Sequence, residues 1–274
     1  MEGVDDMSKE RFEELEKKAQ QAGSLKELFE YWKEAQIEES KESCETTFPR
    51  GKEFEELYGA EFKKSFKCDG KLNCDVEKTE SLNVPILFVC KESNASDEIE
   101  RMLSSYALHQ KAYKELNARE KMESKEWGTN FWMQDVIRWK LYHEAPQGRA
   151  GSKYYNCLRT LVKNAQNAIG SCELIDCAYM NINKRGGYNT ADKTRIRNYA
   201  KKYEKFIEKE IELLDPEIII CCGILDDQGI CKKILKSCGK SVYLYKRHPS
   251  RYSKDLCNWE KLEEFEKYLS RKIL

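Results

Sequence analysis

Four short apolar runs, each separated from the next by helix-length amphipathic sequence, limit this chain to few folds. They are PILFVC at residues 85–90, ELIDCAYM at 173–180, EIIICC at 217–222 and VYLY at 242–245. A continuous apolar run of that length suits a strand covered on both faces. Strands alternating with helices imply an α/β protein with right-handed crossovers, here a three-layer αβα sandwich around a central four-stranded parallel sheet. The spacing predicts helices over 154–169, 190–214 and about 228–235, with Asp215-Pro216 stopping the second, and a closing helix over 259–269.

Ahead of the first run the chain changes character. Residues 5–43 read as a helical hairpin: Phe12, Leu15 and Ala19 recur at helical spacing, Gly23 interrupts, and Ser24 with Glu27 forms a capping box before Leu25, Leu28, Phe29 and Trp32. Residues 44–82 are mixed, with a short helix expected near 54–66 and then a polar loop through Asp69, Gly70 and Asn73 that carries no motif. The division expected is a helical N-terminal extension over 1–82 and an α/β domain over 83–274. Within that domain Trp132, Val136 and Trp139 fall on one helical stripe and read as core. Asn130 and Phe131 precede the stripe and are candidates for a loop that stacks on a base.

Lysine plus arginine and aspartate plus glutamate each number 48, so net charge announces no polyanion partner and distribution matters more. Lys184, Arg185, Lys193, Arg195, Arg197, Lys201 and Lys202 follow the second run, and Lys246, Arg247, Arg251 and Lys254 follow the fourth; together they suggest one basic rim. Twelve cysteines include no CxxC pair, and Cys90, Cys177, Cys221 and Cys222 lie in apolar runs, where reduced cysteine acts as a small hydrophobe. No metal centre or cofactor is expected. No apolar run nears the ~20 residues of a membrane span, and the acidic start MEGVDDMSKE is unlike a signal peptide, so a cytoplasmic protein is expected. No GxxxxGK[ST] or GxGxxG follows any strand, which argues against phosphate-cradling nucleotide enzymes.

Polar residues gather where three of the strands stop. Lys91, Glu92, Ser93 and Asn94 follow the first run, Asn181 to Gly187 follow the second, and the fourth passes into His248, Pro249 and Ser250. Proline fixes its own φ and restricts the preceding residue, so this turn aims His248, one of three histidines, reproducibly. In open α/β sheets ligands bind outside the carboxyl ends of the strands. Glu92, Asn94, Asn181, Lys184 and His248 are therefore expected to meet at one edge.

These segments resemble motifs of the uracil-DNA glycosylase superfamily. FVCKESNAS at 88–96 looks like the loop written GEAPG, GQDPY or GINPG in that family, although its proline is missing here. AYMNINK at 178–184 looks like the strand ending in an asparagine followed by a basic residue. LLDPEIIICCG at 213–223 and LYKRHPSRYS at 244–253 look like the proline-to-glycine strand and the HPS turn. The resemblance spans roughly residues 83–272. It implies that His248 stabilises negative charge on a departing base and that Asn181 reads the base, with Ser93, Asn130 and Phe131 beside it. Asn94 or, in another register, Glu92 would hold the attacking water. Lys184, Arg185, Arg247 and Ser250 would contact the DNA backbone, and Arg251 and Tyr252 would enter the gap left by a flipped nucleotide.

The small residues 93–96 suggest room for a bulky base. The implied activity is a monofunctional DNA glycosylase acting on a modified cytosine, such as glucosylated 5-hydroxymethylcytosine in phage DNA, in antiviral defence. Repair of uracil or a damaged base is the alternative, and a catalytically inactive DNA-binding member of the fold is another. DNA is the expected partner, and no obligate protein partner is indicated.

Overall fold

A computed structural model describes residues 3–39, 66, 68–72, 83–94, 151–187, 193–223 and 230–245. The sheet consists of β1 (Gly70–Lys71), β2 (Ile86–Asn94), β3 (Ala178–Gly187), β4 (Ile218–Cys222) and β5 (Ser241–Tyr245). Its order is β1-β3-β2-β4-β5; β1 runs antiparallel to β3, and the other neighbours are parallel. The helices are α1 (Gly3–Gln21), α2 (Leu25–Glu39), α3 (Gly151–Ile169), α4 (Lys193–Lys202), α5 (Glu204–Leu214) and α6 (Ile230–Ser237), with a 3₁₀ turn at Leu174–Asp176.

Strand alternation divides the core in two. Leu87, Val89, Met180, Ile182, Ile219, Cys221 and Val242 face α1, α2, α4, α5 and α6, whereas Ile86, Phe88, Cys90, Ile218, Ile220 and Cys222 face Leu158, Leu161, Val162 and Ala165 of α3. The topology requires this arrangement. From β2 the chain moves outward to β3, then crosses to β4 on the other side of β2. Crossovers of one hand that step in opposite directions put their helices on opposite faces, and α3 and the α4–α5 pair are so placed.

The capping box at the head of α2 forms with a small change. Ser24 Oγ accepts from the Glu27 N–H at 3.3 Å, and Glu27 Oε2 accepts from Gly23 N–H at 2.9 Å, one residue earlier than the usual reach. The hairpin shares its core with the sheet: Leu15, Ala19, Leu28, Trp32 and Ala35 are buried in one cluster with Tyr203, Phe206 and Val89.

Four expectations need correction. The sheet has five strands and not four, because Gly70–Lys71, expected in a polar loop, pairs antiparallel with the edge of β3. The first apolar run and the second continue as strand well past their apolar residues: β2 reaches Asn94 and β3 reaches Gly187, so Glu92, Ser93, Asn94, Asn181, Lys184 and Arg185 are strand residues and not loop residues. The two tails hold each other through backbone pairing, with Glu92 opposite Asn183 and Asn94 opposite Gly187 across an irregularity, and hydrophobicity carries no trace of that. Residues 173–177 are a 3₁₀ turn and its flanks, the strand beginning only at Ala178. Finally, the long helix expected over 190–214 is divided at Tyr203 into α4 and α5. Hydrogen bonds Tyr203 N to Tyr199 O (2.9 Å) and Ile207 N to Tyr203 O (3.1 Å) run through the junction, which is therefore a kink. It falls where the Tyr203 hydroxyl donates to Glu39 Oε2 of α2 at 2.5 Å. Asp215 ends α5 in the left-handed region (φ 41°, ψ 59°), its N–H donating to Ile211 O, as a stop at Asp215-Pro216 requires.

Candidate functional site

Parallel pairing puts the carboxyl ends of β2, β3, β4 and β5 on one edge of the sheet. Register fixes their relative heights: Asn181 pairs with Cys90, Val89 with Cys221, and Cys222 with Tyr245, so Asn181, Cys90, Cys222 and Tyr245 form one row across four strands. Glu92 and Asn183 lie two residues above that row. β2 and β5 are separated by β4 alone, so their ends are two strand spacings apart, about 10 Å. The chain leaves β2 towards β3 on one face and leaves β4 towards β5 on the other. The ends of β2 and β4 thus mark the topological switch point, the position at which ligands bind in open α/β sheets. Gly223 closes β4 at φ 73°, a value that favours glycine, and donates its N–H to Tyr245 O at 2.7 Å, which ties the end of β4 to β5.

Of the residues singled out from sequence, the structure fixes the backbone of Glu92, Ser93 and Asn94 at the end of β2 and of Arg185 in β3. Asn130, Phe131, Arg247, His248, Ser250, Arg251 and Tyr252 lie outside the described residues. Asn181 and Lys184 are described completely, and both are wholly buried.

Asn181 is held from two directions. Its Oδ1 is 3.4 Å from the hydroxyl of Tyr179, two residues back on the same face of β3. Its backbone N–H donates to Asp69 Oδ2 at 2.6 Å. This second bond has a clear physical origin. Among the described residues β1 is two residues long and pairs with Ala178 and Tyr179, so its ladder stops short of Asn181. A buried N–H must find an acceptor, and the Asp69 carboxylate supplies one where the ladder has run out. Gly70, at φ 138°, lets the chain turn between that carboxylate and the strand.

Lys184 does not form the phosphate-holding surface expected of it. Its ammonium is fully enclosed, hydrogen-bonded to Asp69 Oδ1 and 2.7 Å from Glu210 Oε2, with the rings of Trp32 and Phe29 centred 5.1 and 5.6 Å away. Burial alone would lower the lysine pKa, but the charges of Asp69 and Glu210 outweigh it, so Lys184 is raised and stays protonated. Glu210 moves well above the usual carboxylate range, first through burial and then through repulsion by Asp69. Two carboxyls and one ammonium in a dry site leave negative charge in excess, and the upward shift of Glu210 is in the direction that relieves it.

Sequence reasoning missed Asp69 and Glu210. Asp69 left no signal, being one polar residue in a polar stretch. Glu210 did leave one: it stands four residues after Phe206 and three after Ile207, on the apolar side of its helix. The expected basic rim is also divided, since Lys184 and Arg195 are buried while Lys193, Arg197 and Lys201 are exposed. Lys202 is half-buried, 3.7 Å from Glu39 and over the Phe12 ring.

The described cysteines are unsuited to attack. All eight are free thiols, and burial raises Cys68 and Cys238 to about 11 and Cys177 and Cys222 higher still. Among the described residues no three or more histidine, cysteine or acidic side chains are grouped to hold a metal, and no helix is long and apolar enough to cross a membrane. No protein-family model, curated protein or solved structure matches the chain.

Proposed function

We propose that the protein is a DNA N-glycosylase of the uracil-DNA glycosylase kind, which flips a nucleotide and hydrolyses its N-glycosidic bond to leave an abasic site. The observation that carries the reading is the sheet order, which brings the ends of β2, β3 and β5, the strands leading to all three site motifs, to one edge around a switch point. In the reaction the bond between the base and C1′ breaks with its electrons leaving on the base, while a water oxygen bonds to C1′ and the proton it gives up ends on the released base. Charge therefore develops on both sides of the broken bond, and preorganised groups at each side supply most of the catalysis. Asn94, or Glu92 beside it, holds the water. His248, three residues beyond β5, steadies the negative base, and Asn181 reads it. Arg251 and Tyr252 fill the vacated stack, while Arg185, Arg247 and Ser250 hold the backbone.

The substrate proposed is a bulky modified cytosine, with glucosylated 5-hydroxymethylcytosine of phage DNA first and antiviral defence in the cytoplasm as the setting. The test is incubation with glucosylated phage DNA and, separately, with uracil-containing DNA, followed by detection of freed base and alkali-sensitive sites. Release from the glucosylated DNA, lost in His248→Ala, is the expected result. Activity on uracil alone moves the reading to repair. DNA binding without base release from any substrate leaves an inactive binding protein.

A further inference from the structure

We propose that Asp69 is a positioning residue for Asn181, and that the buried Asp69–Lys184–Glu210 cluster exists to keep its carboxylate in place. The proposal rests on the glycosylase reading only in giving Asn181 a base to read. Asp69 is wholly buried and spends both oxygens on β3, one on the Asn181 N–H at 2.6 Å and one on the Lys184 ammonium three residues further up the same strand. Lys184 in turn meets Glu210 of α5 and the Trp32 and Phe29 rings of α2. One side chain thus clamps β3 at two points on either side of Ile182, and the clamp is anchored in helices on the face away from α3.

The geometry favours positioning over stability alone. A buried ion pair contributes little net stability compared with apolar residues of similar volume, and an isolated salt bridge needs no bond to a main-chain donor. Here that donor belongs to the residue that the motif assigns to base reading, just beyond the described pairing of β3 with its edge strand. Without the carboxylate, the Asn181 N–H loses the acceptor at 2.6 Å, and its segment of β3, still paired with β2 on one side, loses a restraint on the other. Displacement of a substrate-positioning group by about 1 Å can cost about 10²-fold in rate.

The test separates this role from simple support. In a Lys184→Met background, which leaves no cation behind, Asp69→Asn keeps an acceptor for the Asn181 N–H and Asp69→Leu removes it. Three quantities are read: amide hydrogen exchange at Asn181, the single-turnover rate of base release from glucosylated or uracil-containing DNA, and the dissociation constant for the same DNA. The expected result is fast exchange and an about 10- to 100-fold slower release in the leucine variant, rescue of both by asparagine, and DNA affinity the same within about threefold throughout. Equal release and equal exchange in the leucine and asparagine variants overturn the proposal. So does fast exchange at Asn181 in the unaltered protein, a measurement that needs no variant to fold. If the unaltered protein releases no base, the glycosylase reading fails separately, and exchange at Asn181 alone decides whether Asp69 fixes that segment.

Discussion

The two faces of the sheet are built on different principles. The face under α3 is mainly aliphatic and sulfur-rich: Leu158, Leu161, Val162 and Cys157 meet Ile86, Phe88, Cys90, Ile218, Ile220 and Cys222, with the Tyr179 hydroxyl on Asn181 as a polar contact among them. The opposite face is aromatic and polar. Trp32 lies among Phe29, Phe66, Tyr199, Tyr203 and Phe206, with Tyr199 and Tyr203 stacked at 4.4 Å, their hydroxyls on Gln36 and Glu39, and the Lys184 cluster beneath. An apolar face tolerates many sequences of the right volume, whereas a buried polar network tolerates few, because each lost member leaves a charge or donor without compensation. β3 is held from the second kind of face through Lys184, which meets Asp69 and Glu210.

The comparison can be broken most severely at Lys184. Lys184→Ala should destabilise the protein by about 3–5 kcal/mol, since it strands the Asp69 carboxylate in a dry site; a loss under about 1 kcal/mol in urea denaturation removes the contrast. On the α3 face Leu158→Ala should cost about 2–5 kcal/mol through the cavity it leaves, while Leu158→Met costs under about 1.5 kcal/mol because volume is kept. Similar losses for both would mean that this face also depends on a unique geometry.

A subtler probe is Glu210→Gln. Glu210 holds its proton in the folded protein at pH values where the unfolded chain releases it, so its contribution to stability is complete below the ordinary carboxyl value of 4.5 and is lost as pH rises towards the raised folded pKa. Glutamine imitates the protonated form. The variant should match the parent near pH 4 and exceed it, by on the order of 1 kcal/mol, at neutral pH; an advantage that shrinks with rising pH contradicts a protonated Glu210. The smallest effect belongs to neither face: Arg11→Ala, which breaks exposed pairs to Glu14 and Glu34, should shift stability by less than about 1 kcal/mol.

How much of this could be read beforehand follows from which interactions leave a pattern in sequence. Apolar runs located the cores of β2, β4 and β5 to within a residue, and the Ser24–Glu27 and Asp215-Pro216 signals placed helix ends. Polar strand tails were not legible, since Glu92 and Asn183 pair through main-chain atoms that every residue carries. Nor was the burial of Lys184, because lysine is exposed in most settings and its two carboxylates come from positions 69 and 210. For the site, sequence supplied the ends of three strands, and topology supplied their convergence. The clamp on Asn181 depends on contacts across more than a hundred residues and became visible only in three dimensions.

The hydroxyl contacts from Tyr199 to Gln36 and from Tyr203 to Glu39 span 163 and 164 residues of chain. During synthesis the first two helices therefore leave the ribosome long before the surface that covers Trp32 has been translated, and their apolar side must wait, exposed or shielded by a chaperone. Loop closure over such distances slows folding, which makes the pace of translation and early chaperone capture determinants of how much folded protein a cell obtains.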